Sequence, residues 1–286
     1  METISNETKA KILVDALPYM QEYYNKIIVV KYGGNAMINE ELRNAVMCDV
    51  VLLSLVGIKV VLVHGGGPEI NEALEMIGHK SYFVNGLRYT DKITADVVQM
   101  VLAGKVNKKL VSLLQNNGGK ALGLCGIDAD MIKVKKMEGE VDLGFVGEIT
   151  SINTKPILDA LNNGYIPVIA TVGCGENSQP YNINADTAAA SIASALKAEN
   201  LILLSDIKGL LEDKNNEETL LPVVKIDQIE ALTKNGVISG GMIPKVACCK
   251  KCLQNGVSKV FIIDGRQKHS IIIELFTNQG IGTMFI

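Results

Sequence analysis

Two lysines and three glycine turns carry the chemistry this chain could perform. Lys31 lies near the end of the apolar run "KIIVVKY" (26–32), and Gly33-Gly34 follow. Gly65-Gly66-Gly67 follow His64 at the end of "IKVVLVH" (58–64). Gly240-Gly241 precede Lys245 in "GGMIPK". Glycine lets a backbone N–H approach an anion with no Cβ in the way. A helix beginning just after such a turn adds its positive end, and Pro68 suits the first turn of one. Alone, a strand-end lysine is ordinarily solvated and a glycine pair is ordinarily a tight turn. Three such turns, two of them at the carboxyl ends of strands, point instead to an anion such as phosphate.

The commoner phosphate loops do not fit. After Gly65 and Gly67, the dinucleotide pattern G-x-G-x-x-G meets Ile70. The pairs Gly104-Lys105 and Gly119-Lys120 continue into Val106 and Ala121, where a P-loop needs Ser or Thr. Neither H-R-D nor D-F-G occurs. Nicotinamide oxidoreductase, P-loop and protein-kinase readings all weaken.

These turns need a sheet to position them. Continuous apolar, β-branched runs at 26–32, 58–64, 165–172, 200–206 and 258–264 predict parallel strands covered on both faces. Helical patterns separate them at roughly 39–56, 68–78, 91–116, 155–163, 184–198, 226–236 and 241–255. Such alternation predicts an α/β layered sheet. Residues 131–152 alternate more and predict hairpins at one edge or a lid. The Gly/Asn/Pro-rich stretch 173–183 predicts a turn between two lobes, with a boundary near 177. Residues 7–25 stand apart. Ile12, Leu13, Ala16, Leu17, Met20, Tyr23 and Tyr24 share a helical face, and Pro18 should kink it because Pro has no N–H to give Val14. Two readings stay open: a helix packed on its own sheet, or an arm reaching another subunit.

Bulk properties narrow the partners. The 286 residues are 48% apolar and 21% charged, with a net charge of −3. No long basic run suggests nucleic acid. No apolar run reaches the roughly 20 residues of a membrane helix, and no signal peptide is evident. The six cysteines form no disulfide framework, which predicts a reducing, cytoplasmic setting. Cys249 and Cys252 make a lone CxxC with no second ligand pair, so structural thiols outweigh a metal or redox site.

The segments "VVKYGGNAM", "VLVHGGGPEIN", "NGLRYTD", "YNINADTAAASIASALKAENLILLSDIKGL", "GGMIPKV" and "ELFTNQGIGTMFI" stand in order from about residue 26 to the end. Together they resemble the N-acetylglutamate kinases of the amino acid kinase family. The resemblance implies an αβα sandwich around a mainly parallel open sheet. It implies two lobes: 26–177, binding acetylglutamate and pairing subunits, and 178–286, binding ATP. The implied reaction is ATP-dependent phosphorylation of the side-chain carboxylate of N-acetyl-L-glutamate, the second step of arginine biosynthesis. Such a carboxyl group ordinarily titrates at roughly pH 4.3, so it needs no general base. What the reaction needs is suppression of anion–anion repulsion and in-line positioning.

By this resemblance, Lys31 and Lys245 stabilise the transferring phosphoryl group. Asp186 holds them, and Gly34 and Gly66 offer backbone N–H groups. Arg88 clamps the substrate α-carboxylate, Asn182 serves the acetamido end, and Gly67 lines the pocket with Gly66. Asn184 and Asp186 could each also cap the helix that follows. Ser205, Asp206, Gly209, Gly240, Gly241 and Met242 fall on the ATP side. Mg²⁺ comes with the nucleotide, with no dedicated carboxylate cage and no metal ligands assigned in the chain. Members with an N-terminal extension are arginine-inhibited hexamers, trimers of dimers. The extension here implies the same for residues 1–25, with Tyr23, Tyr24, His269, Glu274 and Gly282 near an L-arginine site.

Overall fold

The computed structural model describes residues 5–34, 37 and 39–286. Residues 1–4 of the N-terminal segment and Asn35, Ala36 and Ile38 around the first glycine motif lie outside the described residues.

The chain starts with helices α1 (Asn6–Asp15) and α2 (Leu17–Tyr23). The two are bent by 34°. The break falls at Ala16, and Pro18 sits in the first turn of α2, where its missing N–H costs nothing. Met20 and Tyr23 pack on the core, but α1 buries no residue, and Ile12, Leu13 and Val14 are 54%, 66% and 66% exposed. The idea of a helix packed on its own sheet therefore fits α2 and fails for α1.

Next come β1 (Ile27–Tyr32), α3 (Glu40–Leu55), β2 (Lys59–His64) and α4 (Gly67–Met76). A small hairpin, β3 (Phe83–Val84) and β4 (Leu87–Arg88), leads into α5 (Lys92–Gln99). The helix expected over 91–116 forms as one uninterrupted run, in which a π-helical turn at Met100–Val106 joins α5 to α6 (Asn107–Asn116) with right-handed helical backbone at both junctions. Strands β5 (Ala121–Cys125), β6 (Ile132–Lys136) and β7 (Gly147–Ile152), helix α7 (Lys155–Asn162), and strands β8 (Ile166–Ala170), β9 (Val172–Cys174) and β10 (Pro180–Asn182) follow. The last part holds α8 (Ala185–Leu196), β11 (Asn200–Ser205), β12 (Val223–Val224), α9 (Ile229–Lys234), α10 (Met242–Gln254), β13 (Lys259–Asp264), α11 (Ser270–Phe276) and β14 (Thr283–Phe285).

The main sheet runs β12-β14-β13-β11-β1-β2-β8-β5, and only the β13–β14 pairing is antiparallel. Two apolar layers cover it. Ile28, Val30 and Tyr32 of β1 join the layer with α3, α6 and α11. Val29 joins the layer with α7, α8 and α10. Strand side chains alternate between faces, so Lys31 shares the face of Val29 and emerges beside α8. The fold is thus an αβα sandwich with a mainly parallel sheet. Among the described residues, no helix is long and apolar enough to cross a membrane.

Residues 131–152 form the antiparallel pair β6–β7, as their alternation predicts, within a second sheet of order β10-β9-β6-β7. The stretch 173–183, read as an interlobe turn, belongs to that sheet. It is the β9–β10 hairpin, which pairs Cys174 with Pro180 and Val172 with Asn182. Its turn residues were legible, but its pairing partner was not.

Candidate active site

The sheet changes direction at β1. The chain builds β2 on one side and only later returns to lay β11 on the other. Open α/β sheets bind ligands outside the carboxyl ends of strands at such a switch point. The turn after β1 and the turn after β11 meet there. Gly34 has φ +69°, and a Cβ on it would lie 2.5 Å from Asp206 Oδ1. A Cβ on Gly33 would lie 2.7 Å from Lys31 Nζ. Gly33 thus leaves room for the Lys31 side chain and Gly34 for the Asp206 carboxylate; the sequence singled out the Gly33-Gly34 turn but gave a role to Gly34 alone.

Helix α8 supplies the next group. Its Ala188, Ala189, Ala190 and Ala193 are buried against the sheet, and small side chains allow that close approach. Asn184 caps it, its Oδ1 accepting from the N–H groups of Asp186 at 3.0 Å and Thr187 at 3.1 Å. The capping question left open by the sequence is therefore answered by Asn184. The Asp186 carboxylate instead turns to the two lysines. Lys31 Nζ stands 3.0 Å from Asp186 Oδ1, in ion-pair contact without an aligned hydrogen bond. Lys245 Nζ donates to Asp186 Oδ2 at 2.7 Å. Burial by itself would push the Asp186 carboxyl up; the ammoniums of Lys31 and Lys245 outweigh it and hold the pKa below the usual carboxylate range.

Lys245 reaches this point because α10 packs on α8. The seam includes Cys252, whose Sγ donates to Ala190 O at 3.6 Å. All six cysteines are free. Burial pushes the Cys249 thiol well above its ordinary value and Cys252 up to about 12, so both are neutral packing groups.

Two adjoining hollows open at this site, and Asp186 and Lys245 of the bridge line the larger. A cavity of about 190 Å³ is lined by Gly66, Gly67, Leu87, Arg88 and Asn182, among others. A larger cleft of about 710 Å³ is lined by Asp186, Gly240, Gly241 and Lys245. Gly86, Leu87 and Asn184 wall both. Ser205, Asp206, Gly209 and Met242 are not among the residues lining either hollow. Ser205 ends β11, Asp206 faces the Gly34 turn, and Met242 opens α10. Gly209 packs against β14, where the Leu210 N–H donates to Thr283 Oγ1 at 2.8 Å.

In the smaller cavity, Arg88 is fixed on three sides. Its Nη1 donates to Ser81 Oγ, and its Nη2 donates to Gly67 O at 3.3 Å. Its guanidinium carbon lies 4.6 Å from the centre of the Phe83 ring. Asn182 Nδ2 donates to Thr90 Oγ1 at 3.2 Å, and that hydroxyl donates to Arg88 O at 2.9 Å. Ser81, Phe83 and Thr90 carry no spacing signal in the sequence. They become visible only once the β3–β4 hairpin folds Phe83 opposite Arg88.

The residues expected around L-arginine are partly assembled. Glu274 Oε2 accepts from the N–H groups of Ile281 at 2.7 Å and Gly282 at 3.0 Å. Tyr19 of α2 donates to Asn278 nearby in the chain. His269 turns to α3, its Nδ1 2.6 Å from Asp49 Oδ1. Burial pushes the Asp49 carboxyl up to about 6 against the pull of His269. Tyr23 is buried near Asn200 and Lys259, whereas Tyr24 is 64% exposed beside Gly57.

A largely buried carboxylate bridging two lysines at a sheet's switch point, with glycine turns around it, suits the transfer of an anionic group. Residues 26–264 match the amino acid kinase family, and the chain belongs to it. Within that family its relatives are acetylglutamate kinases. It is 59% identical over 285 residues to the acetylglutamate kinase of Brachyspira hyodysenteriae, covering 100% of this chain and 99% of the relative. It is 55% identical over 282 residues to that of Clostridium beijerinckii, covering 98% and 99%. The N-acetylglutamate synthase from Neisseria gonorrhoeae, solved with coenzyme A and N-acetyl-glutamate, shares the fold at a TM-score of 0.85 and 24% identity. That match covers 96% of this chain but 63% of the synthase chain, less than two thirds of its length. As a kinase of this family, the protein uses ATP.

Proposed function

We infer that the protein transfers the γ-phosphoryl group of ATP to the side-chain carboxylate of N-acetyl-L-glutamate, giving N-acetyl-L-glutamyl 5-phosphate and ADP, the second step of arginine biosynthesis. The observation that carries this is the Lys31–Asp186–Lys245 bridge, whose Asp186 and Lys245 line the larger of two adjoining hollows while Arg88 and Asn182 line the smaller. Substrate occupies the smaller hollow and nucleotide the larger side.

The acceptor carboxylate is ionised at neutral pH, so no residue need remove a proton. His64 could not serve as one in any case, because it is fully buried. The chain's task is positioning and charge stabilisation. Arg88 takes the α-carboxylate through its planar fork. Asn182 orients the acetamido end. Lys31 and Lys245 offset the charge of the transferring group from two sides, and Asp186 keeps both in place. The N–H groups of Gly34 and Gly66 add preorganised donors. Gly240 and Gly241, at the N-terminus of α10, offer backbone N–H groups to the nucleotide phosphates. No acidic residue stands in the first turn of that helix. Ser205, Asp206, Gly209 and Met242 complete the nucleotide side. Mg²⁺ supplies charge neutralisation when bound. It would arrive with the nucleotide, whose phosphate oxygens are its usual ligands.

In this reading residues 26–177 form the acetylglutamate-binding and dimerising lobe, with Asn182 reaching into it. Residues 178–286 form the ATP lobe. A coupled ADP-release assay with N-acetylglutamate, glutamate, aspartate, carbamate and UMP tests the assignment. Turnover is expected with N-acetylglutamate at a kcat/KM far above the others; equal or greater turnover of another acceptor overturns it.

Residues 1–25 form a regulatory arm, and L-arginine is a feedback inhibitor bound near Tyr23, Tyr24, His269, Glu274 and Gly282. Support comes from Glu274 meeting Gly282 while α2 reaches the same C-terminal segment through Tyr19. The exposed Ile12, Leu13 and Val14 of α1 suit pairing with α1 of a second copy, which would join dimers into a hexamer. The intact chain is expected to be arginine-inhibited and hexameric by light scattering. A chain lacking residues 1–24 is expected to be dimeric and insensitive. An intact chain that arginine leaves fully active ends the proposal.

A further inference from the structure

We propose that His64 and Asn107 form a positioning pair that aims the Gly66 N–H at the transferring phosphoryl group. This rests on the reading that Gly66 serves the phosphoryl group, and it identifies what holds that donor in place.

His64 ends β2, is fully buried, and lies immediately before the glycine turn. Its Nδ1 is 2.8 Å from Gly65 O, and its Nε2 is 3.1 Å from Asn107 Nδ2. A carbonyl oxygen only accepts, and an amide nitrogen only donates. The first contact therefore requires a proton on Nδ1, and the second requires a bare Nε2. The orientation of the Asn107 amide is fixed independently. The two hydrogens of its Nδ2 are shared among His64 Nε2, Val168 O at 2.8 Å and Leu124 O at 3.2 Å, and its Oδ1 accepts from Lys108 Nζ at 3.1 Å. Reversing the amide would set its oxygen against two carbonyls. Asn107 thus dictates the tautomer of His64, as the partner of one ring nitrogen commonly does for the other. Burial agrees, pushing the imidazole down to about 4 and keeping it neutral.

The tautomer has a consequence one bond away. Gly65 O and the Gly66 N–H belong to one planar trans peptide, and they point in opposite directions. Holding Gly65 O on the ring turns the Gly66 N–H away from β2. That N–H has no hydrogen-bond partner among the described residues, and Gly66 lines the smaller cavity. A glycine pair can flip its peptide at little steric cost, so the donor needs an anchor. The π-helical turn supplies the rest. It seats Leu102 and Val106 beneath Gly66, where a Cβ would come within 2.6 Å of Leu102 Cδ2, and it delivers Asn107 to His64 at its end. Single π turns commonly serve functional sites in this way.

Full-length protein labelled with ¹⁵N provides the first test. The chain has three histidines, and the resonance missing from a His64→Asn variant is that of His64. Long-range ¹H–¹⁵N spectra of the wild type are expected to show Nδ1 protonated and Nε2 bare between about pH 6 and pH 8. An Nε2–H tautomer overturns the proposal. The second test is kinetic. The amide nitrogen of Asn falls where Nδ1 lies, so His64→Asn keeps a donor for Gly65 O. His64→Gln reaches instead to the Nε2 position and loses that donor. His64→Gln is expected to lower kcat about a hundredfold with KM for both substrates within about threefold, the scale of one misaimed donor. His64→Asn is expected to recover at least about a tenth of wild-type kcat. Equal kcat in the two variants overturns the pairing. Failure of the underlying functional reading looks different, because the wild type itself would then release no ADP with N-acetylglutamate.

Discussion

Lys31→Ala and Lys245→Ala are each expected to lower kcat by at least about a hundredfold, the scale of losing one preorganised donor. KM for N-acetylglutamate should change little, because neither ammonium lines the cavity that holds Arg88. Each lysine holds one oxygen of Asp186, at 3.0 Å and 2.7 Å, and the side chains are largely buried at 11%, 23% and 17% exposure. In such a setting a fixed charge acts more strongly than in water. Removing either lysine also leaves Asp186 to pull the other away from the phosphoryl group. The double variant should therefore lose less than the product of the two single losses, as expected of groups acting as a unit. Asp186→Asn keeps the shape but lets both ammoniums drift, and kcat should fall in the same direction. Steady-state rates over both substrates, with a melting curve for each variant, decide the matter. A stably folded single-lysine variant with near-normal kcat would remove that lysine from the reaction.

Arg88→Ala is expected to raise KM for N-acetylglutamate about a hundredfold, with a smaller loss in kcat. Two charge-assisted hydrogen bonds at about 1.5 kcal/mol each give about 3 kcal/mol, or a factor of about 150. Arg88 is 6% exposed and already held by Ser81, Gly67 O and the Phe83 ring. Its ordering cost is met before substrate arrives, which favours binding. Arg88→Lys should recover little, because an ammonium lacks the planar fork and cannot keep both Ser81 and the substrate. An unchanged KM in Arg88→Ala would displace the clamp to another residue.

Much of the scaffold was readable from local chemistry. The apolar runs at 26–32, 58–64, 200–206 and 258–264 are β1, β2, β11 and β13, within a residue or two at each end. Burial on both faces demands just such uninterrupted runs. The glycine turns announced themselves because few other residues permit φ near +69° at Gly34 or the contact beneath Gly66. Other features had no local signature. The π turn at Met100–Val106 carries only Gly104 as a weak helix former, and nothing in its spacing sets it apart from α-helix. The 173–183 stretch carried turn residues, yet its membership of a sheet depends on β6, some forty residues earlier in the chain. His64 read as the last residue of an apolar strand, and its tautomer depends on Asn107, which arrives from a helix packed on β5 and β8.

The division follows from the range of the forces. Backbone preference, side-chain volume and alternation act over a few residues, so strands, turns, caps and the choice of lysine, arginine or glycine could be read along the chain. Which charges meet is set by strand order and by how closely two helices pack. Lys31 faces α8 because of its parity in β1, and Asp186 reaches it because alanines bring α8 close. Lys245 joins them from 59 residues beyond Asp186 because α10 seats on α8. No spacing rule encodes a meeting of three charges brought together from β1, α8 and α10. It exists because burying the apolar faces of the sheet and both helices leaves their polar ends nowhere else to meet.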